Sequence, residues 1–320
     1  MQAIAAFPDL HPGRHGPVGA AFLADRIYPQ LVGPDIGCGM ALYKLELPRR
    51  KLKIDRAAGR LTILEDGASE EDARRPVTAA GLGSDVLTWG LGTIGGGNHF
   101  CEVQAVGEII DAQRAAALNL DKDDICLLIH TGSRNQGATI FNGIEARWKD
   151  GFATGSSEAE AYLGLHDQAV IWARLNRQLV ADAAAHALRT QAHLVCDSVH
   201  NLVAPHSGAW LHRKGAAAPD KGLAPLAGSR ESRSYLMAAD SMPDATLGSL
   251  SHGAGRRYDR GSMHGRASAQ KLVHPGRGPR PCGCGRRDRP FRSADASDPG
   301  RRPGRATCQQ DLECDPGTVD

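Results

Sequence analysis

Three short stretches of the chain carry strand patterning. Residues 41–47, Ala-Leu-Tyr-Lys-Leu-Glu-Leu, alternate apolar and polar, which predicts a half-buried strand. Residues 125–129, Ile-Cys-Leu-Leu-Ile, form a continuous apolar run between Asp124 and Thr131-Gly132, which predicts a strand covered on both faces. Residues 194–199, Leu-Val-Cys-Asp-Ser-Val, are a third candidate. Between the second and third, residues 157 to about 188 read as one helix. Ser157 and Glu160 have capping-box spacing at its start, and Leu165, Ala169, Trp172, Leu179 and Ala183 recur at helical intervals. Residues 51–75 read as mostly helical, with charges on one side. Glycine-rich stretches at 33–39, 90–97 and 132–137, and a Gly/Ala/Pro-rich one at 215–228, mark turns and loops. Strands and helices follow no regular βαβ rhythm. The expected class is therefore α+β: a single complex domain with mixed sheets.

The patterning stops near residue 266. The last 54 residues hold 7 Pro, 7 Gly and 9 Arg but only four residues of the Leu, Ile, Val and Met type. Such a stretch buries too little apolar area to offset its ordering entropy. The expected division is a domain over 1–266 and a disordered tail over 267–320. Arg, Pro, Gly and Ala also dominate when a GC-rich gene is read out of frame, so a frameshifted tail is a second reading. A zinc module from His274, Cys282, Cys284, Cys308 and Cys314 is a third, but its spacings lack the C-x2-C knuckles of zinc ribbons.

Composition narrows the class further. With 41% hydrophobic and 23% charged residues, the chain is an ordinary globular protein able to bury a core. Aromatics are only 5%, so that core must be built from Ala, Leu, Ile and Val. No apolar run approaches the roughly 20 residues of a membrane span, and the N-terminus lacks a secretory pattern. A cytoplasmic protein with reduced cysteines is expected. The net charge of +2 means that any basic surface must be local.

Candidate chemistry lies where histidines meet glycines. Gly90-Leu-Gly92-Thr-Ile-Gly95 matches a dinucleotide fingerprint, but the residues after it read as glycine loop and then strand, with no helix N-terminus for a pyrophosphate. Asp35 and Cys38 flank Gly37 in a tight turn. His99 follows three glycines and Asn98. His130 ends the strand at 125–129, His200 ends the strand at 194–199, and His252 leads Gly-Ala-Gly-Arg. Strand ends that open into glycine-rich loops are where ligands converge. Three His, one Asp and one Cys make a plausible set for one or two metal ions. The other histidines (His11, His15, His166, His186, His193, His206, His212, His264) have no such setting and read as structural or solvated. Cys101, Cys126 and Cys196 read as small buried hydrophobes.

Six motifs in order resemble the RtcB family of RNA ligases: Asp-Ile-Gly-Cys-Gly-Met at 35–40, Gly-Gly-Gly-Asn-His-Phe-Cys-Glu at 95–102, His-Thr-Gly-Ser-Arg at 130–134, His-Asn at 200–201, Ala-Gly-Ser at 227–229 and His-Gly-Ala-Gly-Arg at 252–256. The resemblance covers residues 1 to about 266. It implies an RtcB-like domain that uses GTP and two manganese ions (Mn2+). The family joins an RNA 3′-phosphate or 2′,3′-cyclic phosphate to a 5′-hydroxyl through a histidine–GMP intermediate. By motif match, His252 is the guanylated nucleophile. Asp35, Cys38, His99, His130 and His200 hold the metals, with Cys38 bridging. The run Asn98, His99, Phe100, Cys101 and Glu102 contacts the nucleotide, with His200, Asn201, Ala227, Gly228, Ser229, Arg230, Ser234, Gly253, Ala254 and Gly255. Arg256 and Arg260 meet RNA phosphate. Thiolate plus imidazole alone favours zinc, so manganese comes from the resemblance. The N-terminal Phe-Pro-Asp-Leu-His-Pro-Gly is similar to the bacterial branch associated with release factor H, which implies RNA repair and a functional link to that factor.

The chain also departs from the family. Residues 267–320 match nothing in its C-terminal region, and the last lysine is Lys271, where family members place a later Lys on the guanine. Glu231 and Arg233 stand where small or apolar residues are usual. Two other functions stay open on the same residues: a metal-dependent phosphoesterase, and a truncated inactive member that still binds metal or RNA.

Overall fold

The computed structural model describes residues 1–13, 15–144, 150–229, 232–255 and 306–308. The strands are β1 (Ala3–His11), β2 (Val18–Ala24), β3 (Arg26–Ile27), β4 (Gly39–Leu45), β5 (Phe100–Ala105), β6 (Ile125–Thr131), β7 (Phe152–Ala153), β8 (Ala192–Val199), β9 (Asn201–His206), β10 (Ala209–Lys214), β11 (Ala216–Ala217), β12 (Leu223–Leu226), β13 (Tyr235–Ala238), β14 (Leu250–Ser251) and β15 (Ala306–Cys308). The α-helices are α1 (Ile54–Arg60), α2 (Glu70–Ala79), α3 (Ala112–Ala117), α4 (Arg134–Ile144) and α5 (Ser157–Leu188). The mixture is α+β, with several separate sheets, as the patterning predicts.

A five-stranded sheet in the order β15-β5-β6-β4-β8 forms the centre. Neighbours from β5 to β8 are all antiparallel. The start of β5, the end of β6, the start of β4 and the end of β8 therefore share one end of the sheet. All three strands read from the sequence are present. β4 differs from its half-buried expectation: it lies between β6 and β8, and every residue in it except Lys44 is buried. Ala41, Tyr43 and Leu45 pack beneath Val180, Ala181, Ala184 and Leu188 of α5. Met40 and Leu42 pack on the other face with Leu128, Cys196 and Leu223. Lys44 escapes by reaching Asp124 at 2.7 Å, its stem lying along apolar surface with the charge outside.

Helix α5 has the predicted bounds, but its cap and its buried face differ. The N-cap is Ser156, whose Oγ accepts from the Ala159 amide at 3.2 Å. Ser157 is the first helical residue and turns its hydroxyl to Glu158. Leu165 is exposed, whereas His166, Asn176 and Arg177 are buried. The helical region at 51–75 is broken into α1, a 3-10 turn at Leu61–Glu65 and α2, which Ser69 caps.

A second sheet, β1-β2-β10-β9, is antiparallel throughout. His200 alone separates β8 from β9, so it joins the two sheets. Two-residue strands β11 and β14 pair beside them and present His252. β12 pairs with β13, and β3 with β7. Within the stretch expected to be disordered, β15 pairs in parallel with β5, whose outer ladder groups are otherwise open. The rest of 267–320, with His274, Cys282, Cys284 and Cys314, lies outside the described residues.

Candidate active site

The shared end of the central sheet collects the histidines. His99 immediately precedes β5, His130 is the penultimate residue of β6, Cys38 immediately precedes β4, and His200 follows β8. The turn carrying Asp35 and Cys38 is tied to the strand junction. The Gly37 amide donates to the Asn201 carbonyl at 2.7 Å, and the His200 amide to the Cys38 carbonyl at 2.8 Å. Glycine supplies the room this requires. A Cβ on Gly132 would fall on the Asp35 carboxylate, and one on Gly95 would fall on the Arg134 guanidinium.

Five side chains converge in two groups that share one sulfur. Cys38, His130 and His200 form one, and Asp35, Cys38 and His99 the other. The ligand atoms within each group lie within 4.8 Å of one another. Cys38 Sγ is 3.4 Å from both His99 Nε2 and His130 Nε2. His99 Nε2 is 2.9 Å from Asp35 Oδ2, and His130 Nε2 is 3.3 Å from His200 Nε2. Metal–ligand bonds of about 2.0–2.3 Å put neighbouring ligands of a tetrahedral site roughly 3.3–3.8 Å apart. The donor set and its spacing therefore fit two divalent ions, with Cys38 between them.

The protonation states suit that role. Burial, with His99 and His252 nearby, pushes the His130 imidazole well below its ordinary pKa. Burial, with His252 and His130, does the same to His200. Both rings are thus neutral near pH 7. His130 Nδ1 donates to the Asn98 carbonyl at 3.1 Å, which leaves Nε2 as the lone pair facing the cluster. Burial and the Asp35 carboxylate push the Cys38 thiol well above its usual range; a bound cation would remove that proton outright. Burial would raise Asp35, but His99, Cys38 and Arg134 together hold it below its ordinary value.

His252 stands beside this cluster. Its ring centroid is 4.6 Å from that of His200 and 6.4 Å from that of His130. Its Nδ1 lies against Asp9 Oδ2 on β1. Ser251 Oγ donates to the other Asp9 oxygen at 2.8 Å. Burial would raise Asp9, but these two contacts outweigh it and keep the carboxyl below its ordinary value.

The residues to which the resemblance gives a nucleotide role share a second set of contacts. Gln104 Nε2 donates to Glu102 Oε2 at 2.8 Å and to Ser234 Oγ at 3.3 Å, and Ser234 Oγ accepts from the Gly228 amide at 3.1 Å. Gly253 bridges to Ala227, and the Ala254 amide donates to the Ala227 carbonyl at 3.1 Å. The Phe100 ring meets the His130 ring edge-on at 5.3 Å. Asn98 is exposed at the loop, and the Ser229 amide donates to Ser232 Oγ at 2.6 Å. Asn201 bonds the Asp35 carbonyl and the Gly215 amide. Cys101 is fully buried in the core beside Leu127 and Ile129. Its side chain behaves as the small hydrophobe read from the sequence. Arg230, Glu231, Arg256 and Arg260 lie outside the described residues, and Gly255 is the last described residue before 306.

The sequence model of the family described as "tRNA-splicing ligase RtcB" matches residues 1–66 and 84–277. The chain belongs to the RtcB family. It is 41% identical to the RNA-splicing ligase RtcB2 of Escherichia coli over 84% of this chain and 72% of that protein. It is 28% identical to the RNA-splicing ligase RtcB of Mycobacterium bovis, over 81% of each. It is 27% identical to the tRNA-splicing ligase RtcB of Methanococcus maripaludis, over 80% of this chain and 73% of that one. The RtcB match runs past residue 266, where the patterning ends.

Four residues near this site had no role assigned from the sequence. Asp9 lies in a quoted motif but had no stated partner, because its partner is at the other end of the chain. Arg134 closes the motif at 130–134 but was given no partner. Asn176 and Arg177 sit on the buried face of α5, and with polar Arg174 and Gln178 in the same stretch no local pattern sets them apart.

Proposed function

We propose that this chain is a GTP- and manganese-dependent RNA ligase. It would join an RNA 3′-phosphate or 2′,3′-cyclic phosphate end to a 5′-hydroxyl through a guanylated His252. The observation that carries this is the pairing of His252 with Asp9 beside a five-ligand cluster. Hydrolysis by the metals alone would need no oriented imidazole there. When bound, two manganese ions neutralise phosphate charge and align attacking and leaving oxygens.

The remaining work falls to the chain itself. Asp9 takes the Nδ1 proton of His252 into a hydrogen bond, which leaves the Nε2 lone pair free to attack. Nε2 bonds to the α-phosphorus of GTP as the α–β phosphoanhydride bond breaks, and pyrophosphate leaves. An oxygen of the RNA 3′-phosphate then takes the GMP, breaking the N–P bond and freeing His252. The RNA 5′-hydroxyl attacks that activated phosphate, loses its proton and displaces GMP. Glu102 and Ser234 would face the base, with Gly228, Gly253 and Ala254 along the nucleotide. Cytoplasmic RNA repair linked to release factor H belongs to the same proposal and rests on the N-terminal resemblance.

The test is incubation of the full chain with α-labelled GTP and Mn2+. The expected product is a protein–GMP adduct that is acid-labile and alkali-stable, as a phosphoramidate should be, and absent from His252→Ala. Release of RNA terminal phosphate without any adduct would favour the phosphoesterase. An adduct that persists in His252→Ala would remove the nucleophile assignment.

A further inference from the structure

Helix α5 crosses beneath the ligand-bearing end of the central sheet, and the two residues it buries there are polar. Asn176 and Arg177 are both 0% exposed. Arg177 donates from one terminal nitrogen to the Gly37 carbonyl at 2.9 Å and to the Thr131 carbonyl at 2.8 Å. Its Nε donates to Asp197 Oδ1 at 2.8 Å. Asn176 Oδ1 accepts from the Gly92 and Thr93 amides at 2.7 and 3.1 Å. Its Nδ2 donates to the Thr93 carbonyl at 3.0 Å, to Thr131 Oγ1 at 3.3 Å and to the Gly132 carbonyl at 3.4 Å. Thr131 Oγ1 in turn donates to the Ile94 carbonyl at 2.7 Å.

Each of these partners belongs to a segment that carries a ligand. Gly37 precedes Cys38, and Thr131 follows His130. Asp197 lies three residues before His200 on β8. Thr93 and Ile94 open the glycine loop that delivers His99. An apolar pair at these two positions would leave buried amides and carbonyls without partners, at a cost in stability but with no need for this particular set of targets. Guanidinium geometry explains the choice of Arg177. Its planar fork reaches two carbonyls and a carboxylate at fixed angles, which a lysine cannot do.

We propose that Asn176 and Arg177 are positioning residues for the metal cluster, tying all four of its ligand-bearing segments to one turn of α5. This rests on the metal reading of the cluster. Neither side chain is a ligand. They act through the backbone beside the ligands, so that Cys38, His99, His130 and His200 arrive at fixed separations before a metal binds. Groups that orient ligands from outside the coordination shell typically govern affinity by about 10- to 100-fold.

The experiment titrates the metal-free full chain with Mn2+ and reads the free-ion signal by electron paramagnetic resonance. It compares wild type, Arg177→Lys, Asn176→Asp, Cys38→Ser and Leu188→Ala. Leu188 is buried in the same helix about three turns beyond Arg177 and makes none of its hydrogen bonds to the ligand segments, so its truncation destabilises without removing those bonds. Thermal unfolding of each metal-free protein is followed alongside. The expected result is Mn2+ binding about 10- to 100-fold weaker in Arg177→Lys and Asn176→Asp. Both sites should weaken, because Cys38 is shared. Leu188→Ala should keep wild-type affinity despite a lower midpoint. Should Arg177→Lys fail to fold, Asp197→Asn takes its place. Folded variants with wild-type affinity would overturn the positioning role alone, as would an equal loss in Leu188→Ala. A wild type that binds no Mn2+, or whose binding survives Cys38→Ser unchanged, would overturn the metal reading and this inference together.

Discussion

At the scale of single residues, the same imidazole chemistry serves different ends. His252 is held by a carboxylate, which orients its ring and stabilises positive charge as it develops. Asp9→Asn keeps the size of the side chain but removes that charge. The expected outcome is GMP-adduct formation slowed by about 100- to 10,000-fold, with Mn2+ affinity unchanged, measured by labelling rate and metal titration. His212 has no part in the site and shows the cost of a buried neutral histidine. Its Nε2 accepts from the Tyr28 amide at 2.9 Å, and Nδ1 faces the Phe22 carbonyl. Burial lowers its pKa to about 4. The unfolded chain, with a pKa near 6.5, takes up the proton first as pH falls. Stability is therefore whole above about pH 6.5 and is lost progressively toward pH 4, by on the order of 3 kcal/mol from this group. In His212→Gln that part of the acid sensitivity should vanish. Urea unfolding at pH 7.5 and 4.5 should show the wild-type advantage shrinking by about 2 kcal/mol at the lower pH.

At the scale of elements, α5 shows how far local signals reach. Its length and bounds follow from periodicity and the serine pair at its start. Which serine caps it does not, because Ser156 and Ser157 are chemically alike and only the approach of the chain decides. Ser156→Ala should cost about 1 kcal/mol, and Ser157→Ala less than about 0.5 kcal/mol, by denaturant unfolding. The apolar stripe was also misread at one position. Leu165 faces solvent, and His166 is buried instead, accepting from the Val203 amide at 3.0 Å. Hydropathy ranks leucine above histidine for burial, but a buried strand amide needs an acceptor and only histidine can supply one. The strand at β4 was misread for a similar reason. Alternation suggests a wet face, yet its flanking strands and α5 cover both faces, and Lys44 reaches outward from the pleat.

At the scale of the whole molecule, the cluster joins four strand ends of one sheet. Metal bound there crosslinks regions that are distant in sequence, and it binds the folded state only. Mn2+ at about 100 times its dissociation constant should add about 2.7 kcal/mol of stability. At roughly 2–4 °C per kcal/mol for a chain of this size, the melting midpoint should rise by about 5–10 °C, fall back on chelation and stay flat in Cys38→Ser. Calorimetry with and without chelator checks it.

The chain's sequence alone determined the inventory of this site. Asp35, Cys38, His99, His130 and His252 are legible because glycine lies within two residues of each, and His200 because it ends an apolar strand; both signals are local. The same holds for the strands at 125–129 and 194–199 and for the bounds of α5, whose signals lie within a few residues of each other. Tertiary structure alone decided the rest. Strand order placed the start of β4 and β5 and the end of β6 and β8 together. The crossing of β1 past β14 gave His252 its carboxylate, and the passage of α5 beneath the sheet turned Asn176 and Arg177 into partners of the ligand loops. The physical reason is common to all three. A side chain's partner is set by which segments cross in space, and short-range periodicity records which face of an element is buried but not what it is buried against.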